Sequence, residues 1–281
     1  MKYLHADVFS NKSLNGNGLT IIYTDNDNVA ELQEIAKEFK QFETVFIYKK
    51  KEDYYPIRIF TVEEELDFAG HPILGASATI LKENENTARK IKLQIKDRII
   101  ETDARANHDY FSVIMNQGKP KYYDKVDQKY FKEIISALNL TQNDISKDLP
   151  LEVISTGLDY LIVPVKDEKS LVKSKIITDD FEIRLSKVHA KFVYVFNPQN
   201  VECRTWDNLG NVEDVATGSA AGPLCAYLIK NGKLSKGKTV KISQGKYVGR
   251  PSKITAWMEK ESSQIKIEGD VKFLVKGELI I

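Results

Sequence analysis

The alternation of apolar and polar positions divides this chain into many short strands and a few helices. Runs rich in β-branched and aromatic residues occupy 2–9, 19–23, 44–48, 57–61 and 110–115, and 90–102 reads as a strand pair turning near Lys96-Asp97. Leu32, Ile35, Ala36 and Phe39 recur at i, i+3, i+4 and i+7 behind the cap candidates Asp27 and Asn28, which predicts an amphipathic helix. Phe131, Ile134, Ile135 and Leu138 repeat that spacing in the second half. Further strands are expected at 151–154, 160–165, 192–196 and 201–205, then at 239–244, 253–258, 264–268 and 271–281.

Two segments depart from this pattern. In 60–81 a strand gives way to an acidic loop, and Ala69-Gly70-His71-Pro72 then opens a helix whose only polar residues from Ile73 to Leu81 are Ser77 and Thr79. Pro72 suits the first turn, where its missing N–H costs little. In 212–224 two adjacent acids, Glu213 and Asp214, lead through Thr217-Gly218-Ser219 into a second apolar helix that stops at Asn231-Gly232. A helix apolar on nearly every face is expected to be buried on nearly every face. Each half is thus strands, an amphipathic helix, more strands, and a small-residue loop opening an apolar helix. That repeat of plan predicts a degenerate duplication and an α+β fold, with a sheet curled around one central helix, twice. Gly118-Lys119-Pro120 marks the boundary between domains 1–117 and 118–271.

Composition narrows the function classes. The 281 residues suit two domains, and 41 basic against 40 acidic side chains give a net charge of +1. That balance gives no general attraction to nucleic acid or an anionic membrane, and the lysine runs at 49–51 and 230–241 read as solvated surface. Only Cys203 and Cys225 occur, too few for a disulfide framework and in keeping with a reducing cytoplasm; Cys225 is expected to be a packed thiol. No stretch approaches the ~18 apolar residues of a membrane helix, and the N-terminus has no signal core, so a soluble cytoplasmic protein is expected.

The chemistry is expected at the two helix starts. Free N–H groups and the positive end of the dipole collect there, which makes each loop an anion site. Gly70, Gly75, Gly218 and Gly222 would let a ligand or another backbone approach, or would merely let the helices pack tightly. His71 is placed either to reach out of the helix end or to pack as a cap. Glu213 and Asp214 can serve the dipole or catalysis, and Ser219 can be a cap or a ligand hydroxyl. Glu43, between a helix end and an apolar strand, is either a desolvated carboxylate suited to acid–base work or an exposed turn residue. No metal-ligand cluster, phosphate loop or dinucleotide fingerprint stands out in the sequence.

At these residues the chain resembles the PhzF-like isomerases of phenazine biosynthesis. Four motifs carry the likeness: Glu43-Thr44-Val45-Phe46; Phe60-Thr61 with Phe68-Ala69-Gly70-His71-Pro72-Ile73-Leu74-Gly75; 213–224; and Gln244-Gly245 with Gly249-Arg250-Pro251-Ser252. The resemblance implies the diaminopimelate epimerase-like fold: two similar domains, each a β-barrel around a central helix, with the active-site cleft between them. It implies that the strand 272–281 returns to the first domain and that the protein is a homodimer using no cofactor. It gives Glu43 the role of proton shuttle, and assigns His71, Asp214 and Ser219, with the backbone of Gly70 and Gly218, to substrate contact. Neither cysteine stands at a helix start, which disfavours two-thiol racemisation. Phe42, Gly18, Val62 and Trp206 depart from the family pattern, and Trp206 is expected to reshape the pocket. The expected activity is a cofactor-independent isomerisation of a small carboxylic acid, cyclic and amino-bearing. The alternatives are a non-catalytic metabolite-binding or interaction protein and a related epimerase.

Overall fold

The computed structural model describes residues 1–85 and 87–281. Along them the first part of the chain runs β1 (Lys2–Val8), β2 (Asn17–Tyr23), α1 (Val29–Phe39), β3 (Glu43–Ile47), β4 (Tyr55–Phe60), β5 (Glu65–Leu66), α2 (Gly70–Glu83), β6 (Ala88–Ile95), β7 (Arg98–Ala106) and β8 (Phe111–Gly118). The second part runs β9 (Lys121–Lys125), α3 (Gln128–Ala137), β10 (Glu152–Ser155), β11 (Asp159–Pro164), α4 (Glu168–Lys173), α5 (Phe181–Ser186), β12 (Phe192–Asn197), β13 (Glu202–Arg204), α6 (Gly218–Lys230), β14 (Val240–Gln244), β15 (Ser252–Met258) and β16 (Ile265–Glu278). The chain divides into two compact units, Met1–Asn116 with Glu268–Ile281, and Gln117–Ile267.

In the first unit the strand order β1-β2-β3-β4-β6-β7-β8-β16 closes on itself, because β16 also pairs with β1. The result is a closed eight-stranded barrel. Two of its pairings are parallel, β2 with β3 and β4 with β6, and a parallel pair needs a crossover. The helices α1 and α2 supply them. Asn28 caps α1, accepting from the N–H groups of Ala30 and Glu31, and the helix lays Leu32, Ile35 and Ala36 against Ile22, Phe46 and Phe60. The crossover α2 packs against β1, β2, β3, β6 and β7, and every residue from Gly70 to Leu81 is buried. A helix without a polar face finds no water here, which is the environment its sequence requires.

The segments 264–268 and 271–281, expected as two strands, form one, β16. Gly269, which reads as a break, instead makes room. A Cβ there would lie 2.4 Å from Phe9 Cδ1 and 2.8 Å from Leu74 Cδ2. Phe9 holds its place over the strand with φ 65°, its N–H donating to the Asp270 carbonyl at 2.7 Å.

The second unit is a hydrogen-bonded path of strands β16-β15-β14-β13-β12-β11-β10-β9. Its apolar helix α6 packs against β10, β11 and β15, and is buried at Gly218 and from Ala220 to Leu228. The crossover between the parallel strands β11 and β12 contains α4 and α5, six residues each, which the periodicity does not reveal. A helix that short completes fewer than two turns, too few for a 3.6-residue repeat to register. Phe181 and Leu185 of α5 nevertheless enter the core of the unit beside Leu138 and Trp206.

Candidate active site

The first unit brings Glu43 and His71 together. Glu43 opens β3, in register with Leu19 of β2, and His71 is the second residue of α2. Glu43 Oε2 lies 3.2 Å from His71 Nε2, and the two residues are only 7% and 4% exposed. Glu43 is therefore not the exposed turn residue of the ordinary alternative. The cap residue of α2, Ala69, has no side-chain acceptor to offer the first amides, so the positive end of the helix is left for another partner. Burial pushes the His71 imidazole down to about 3, so it is neutral at pH 7. Beside a neutral imidazole the carboxyl group can take up or release one proton without creating a buried cation.

That burial has a consequence for stability. The folded pKa of His71 lies below the unfolded value of ~6.5, so its contribution is full above that pH and is lost as the pH falls towards about 3. We expect unfolding free energy to drop by up to about 1.4 kcal/mol per pH unit below pH 6 from this group alone. Urea unfolding at pH 6.5 and pH 5 should show a shallower loss in His71→Asn than in the wild type. Equal losses in the two proteins would show that His71 does not titrate in this way.

The second unit separates the two adjacent acids. Glu213 forms a two-pronged ion pair with Arg204, Nε to Oε1 at 2.9 Å and Nη2 to Oε2 at 2.6 Å. Arg204 also donates to the carbonyls of Leu171, Val172 and Ser174 at 3.1, 2.8 and 2.8 Å. Its guanidinium lies 4.8 Å from the Trp206 ring and 5.0 Å from the Tyr247 ring. Glu213 thus holds its loop to the body of the unit. Trp206 is 5% exposed and packs in the hydrophobic core of the unit.

Asp214 turns instead towards the start of α6. It accepts from the Thr217 hydroxyl and, at 3.3 Å, from the Ala216 N–H. Thr217 is the cap residue of α6, yet its side chain makes no capping bond to the helix. The hydroxyl serves Asp214, and this helix also keeps an uncapped positive end. Behind the loop stands Gln244, 1% exposed. Its amide donates to the Asp214 carbonyl at 2.8 Å and to Thr217 Oγ1 at 2.9 Å, and accepts from the Thr217 N–H at 3.1 Å and the Tyr194 hydroxyl at 2.9 Å. Gly245 follows at φ +81°, where a Cβ would lie 2.3 Å from the Arg250 carbonyl oxygen and 2.7 Å from that of Val215. Only glycine lets this turn close against the acid loop. The Ser252 hydroxyl completes the clamp, its one proton lying between the carbonyls of Arg250 at 3.1 Å and Val215 at 3.3 Å. The fourth motif therefore grips the loop that carries Glu213 and Asp214.

Ser219 is not the cap of α6 but its second residue, and its Oγ lies 2.8 Å from the Tyr160 hydroxyl. The Gly218 carbonyl accepts from Gln117 Nε2 at 2.8 Å. Gly75 and Gly222 face the protein rather than a ligand. A Cβ on Gly75 would lie 2.2 Å from Leu19 Cδ2, and one on Gly222 2.1 Å from Gln117 Oε1 and 2.9 Å from Thr156 Oγ1. For these two the packing alternative holds. Gly222→Ala should therefore destabilise the chain by about 1–3 kcal/mol, read from the denaturant midpoint, because the buried Gln117–Thr156 hydrogen bond must move. An unchanged midpoint would show that the amide gives way freely.

Sequence pattern alone does not reveal Tyr160, Tyr194 and Gln117, which sit on strands and are joined to the loop only by folding. Burial raises the thiols of Cys203 and Cys225, the latter to about 12, so neither offers a thiolate at neutral pH. Among the described residues no group of three or more His, Cys, Asp or Glu could hold a metal ion. No helix among them is long and apolar enough to cross a membrane.

Comparison with known proteins places these residues in context. The family model described as phenazine biosynthesis-like protein matches residues 6–277. The trans-2,3-dihydro-3-hydroxyanthranilate isomerase of Pseudomonas chlororaphis is 28% identical over 99% of each chain. An uncharacterized isomerase of Clostridium acetobutylicum is 26% identical over 98% of this chain and 96% of its own. The solved structure of a predicted epimerase from Pseudomonas aeruginosa superposes with a TM-score of 0.94 at 35% identity, covering 100% of this chain and 99% of its own.

Proposed function

The chain belongs to the phenazine biosynthesis-like family and is an isomerase, and from that premise we propose that it moves a proton between carbons of a small carboxylic acid through Glu43. The observation that carries this reading is the buried pair of Glu43 and the neutral His71, 3.2 Å apart at an uncapped helix start. In the first step a substrate C–H bond breaks and its proton forms an O–H bond on Glu43. In the second the same proton is delivered to another carbon, and the double bond shifts between the two positions. One carboxyl group suffices when both carbons present the same face. His71 steadies the carboxyl group in both its protonation states, being neutral itself. The amides of Gly70 and Gly218-Ser219 stabilise the enolate-like charge that develops between the steps. Asp214 and Ser219 hold the polar substituents of the substrate. In this reading the enzyme works in the cytoplasm as a homodimer.

The probe is trans-2,3-dihydro-3-hydroxyanthranilate, the compound named for the Pseudomonas relatives. Incubation in heavy water should give an isomer with a shifted double bond. Deuterium should appear at the carbon that gains the proton, to the extent that Glu43 exchanges with solvent. Recovery of unchanged, unlabelled material at high enzyme concentration would reject this substrate. Exchange at a stereocentre with loss of optical purity and no double-bond shift would favour the epimerase reading, which the likeness to a predicted epimerase supports.

A further inference from the structure

The hydrogen bonds beneath Asp214 have a direction that can be read without seeing a hydrogen. A backbone N–H can only donate, so the bond from the Thr217 N–H fixes the Gln244 oxygen as the acceptor on that side. The other end of the amide is then the NH2 group, and it faces Thr217 Oγ1 and the Asp214 carbonyl. Thr217 Oγ1 accepts from Gln244, which leaves its single proton for Asp214 Oδ2. Asp214 Oδ1 meets a second donor, the Ala216 N–H. Both carboxyl oxygens thus meet donors, and the direction of the Thr217 hydroxyl is set from the strand behind. Tyr194 closes the relay at its far end, its buried hydroxyl donating to the same Gln244 oxygen.

We propose that Gln244 and Thr217 form a relay of fixed polarity that holds Asp214 as a proton acceptor, so that this half-site takes a hydrogen-bond donor of the substrate, an ammonium or hydroxyl group. The inference rests on reading Asp214 as a substrate contact. It makes Gln244 and Thr217 positioning residues and favours the ionised form of Asp214 over a role as the acid that returns the proton. It also gives the two carboxyl groups different tasks: proton transfer at Glu43, recognition of the donor group at Asp214.

Two measurements test it. In protein carrying 13C-labelled aspartate carboxyls, the signal lost in Asp214→Asn should have the shift of an ionised carboxylate at pH 7 without substrate. A protonated carboxyl there would overturn the relay, and no turnover is needed to see it. With trans-2,3-dihydro-3-hydroxyanthranilate as probe, Thr217→Val removes the hydroxyl at constant shape. It should raise KM about tenfold or more while kcat changes less than about threefold. Thr217→Ser, which keeps the hydroxyl, should recover most of that loss; a general packing defect would not be repaired in this way. Probes lacking the amine or the hydroxyl identify the donor, because the one without it becomes insensitive to Thr217→Val. An unchanged KM in Thr217→Val overturns the proposal. If the wild-type enzyme does not act on the probe, the substrate reading has failed, and the carboxylate signal alone decides the relay.

Discussion

Glu43→Gln is expected to abolish isomerisation, lowering kcat/KM by about 10²- to 10⁴-fold, the range lost with a positioned general base. Glutamine keeps the size and one oxygen of the side chain but cannot take a proton from carbon. The surroundings of position 43 make the effect large. The residue is 7% exposed, and the His71 imidazole 3.2 Å away is neutral because burial disfavours its cation. Water has poor access to replace the lost base, and the imidazole lies on the side of the carboxyl group. Deuterium exchange into the probe should fall with turnover, while the thermal midpoint should stay level or rise, since a buried carboxyl group is removed. Exchange that persists undiminished in Glu43→Gln would remove Glu43 as the base and leave the non-catalytic alternative open to test by binding alone.

The second large effect concerns stability and lies at the neighbouring acid. Arg204→Met should lower unfolding free energy by about 3–5 kcal/mol, the usual cost of stripping one partner from a buried ion pair. The side chains of Arg204 and Glu213 are 11% and 9% exposed, so water cannot take the place of the guanidinium. Three backbone carbonyls lose a donor in the same substitution, and two aromatic rings lose a cation. Glu213→Leu added to Arg204→Met should recover part of the loss, because the orphaned carboxylate is then gone while the carbonyls remain unpaired. The measurement is a pair of urea titrations with unchanged m-values. A loss below about 1 kcal/mol would place this pair with the weak surface pairs and leave the acid loop held by Gln244 and Gly245 alone. The contrast with Asp214 is the useful part: of two adjacent carboxylates, one should govern folding and the other substrate affinity.

Those two acids show how far the sequence could be read. Their place before an apolar helix is plain in the chain, and so is the likeness of that segment to 60–81. Which of them is tied down is not, because Arg204 is nine residues away from Glu213 and becomes its partner only when β13 and the loop meet. The same holds for Gln244. Its motif stands out in the chain, but nothing local says that its amide reaches Thr217, 27 residues earlier. The glycines divide in a similar way. Gly245 is required by a left-handed turn, whereas Gly75, Gly222 and Gly269 are small because a side chain from elsewhere occupies their space.

By itself the sequence determined the features that rest on local pattern. The period of the apolar residues set the strands, the amphipathic helices α1 and α3, and the two helices with no polar face, and the motifs identified the family. Those signals are local because strand and helix periodicity and helix-start chemistry depend on residues a few positions apart. Tertiary structure decided the rest: the closure of the first barrel by β16, the burial of Glu43 against His71, and the direction of the hydrogen bonds that reach Asp214. Each of these depends on groups far apart in the chain, and burial is a property of what surrounds a side chain, which no stretch of sequence carries alone.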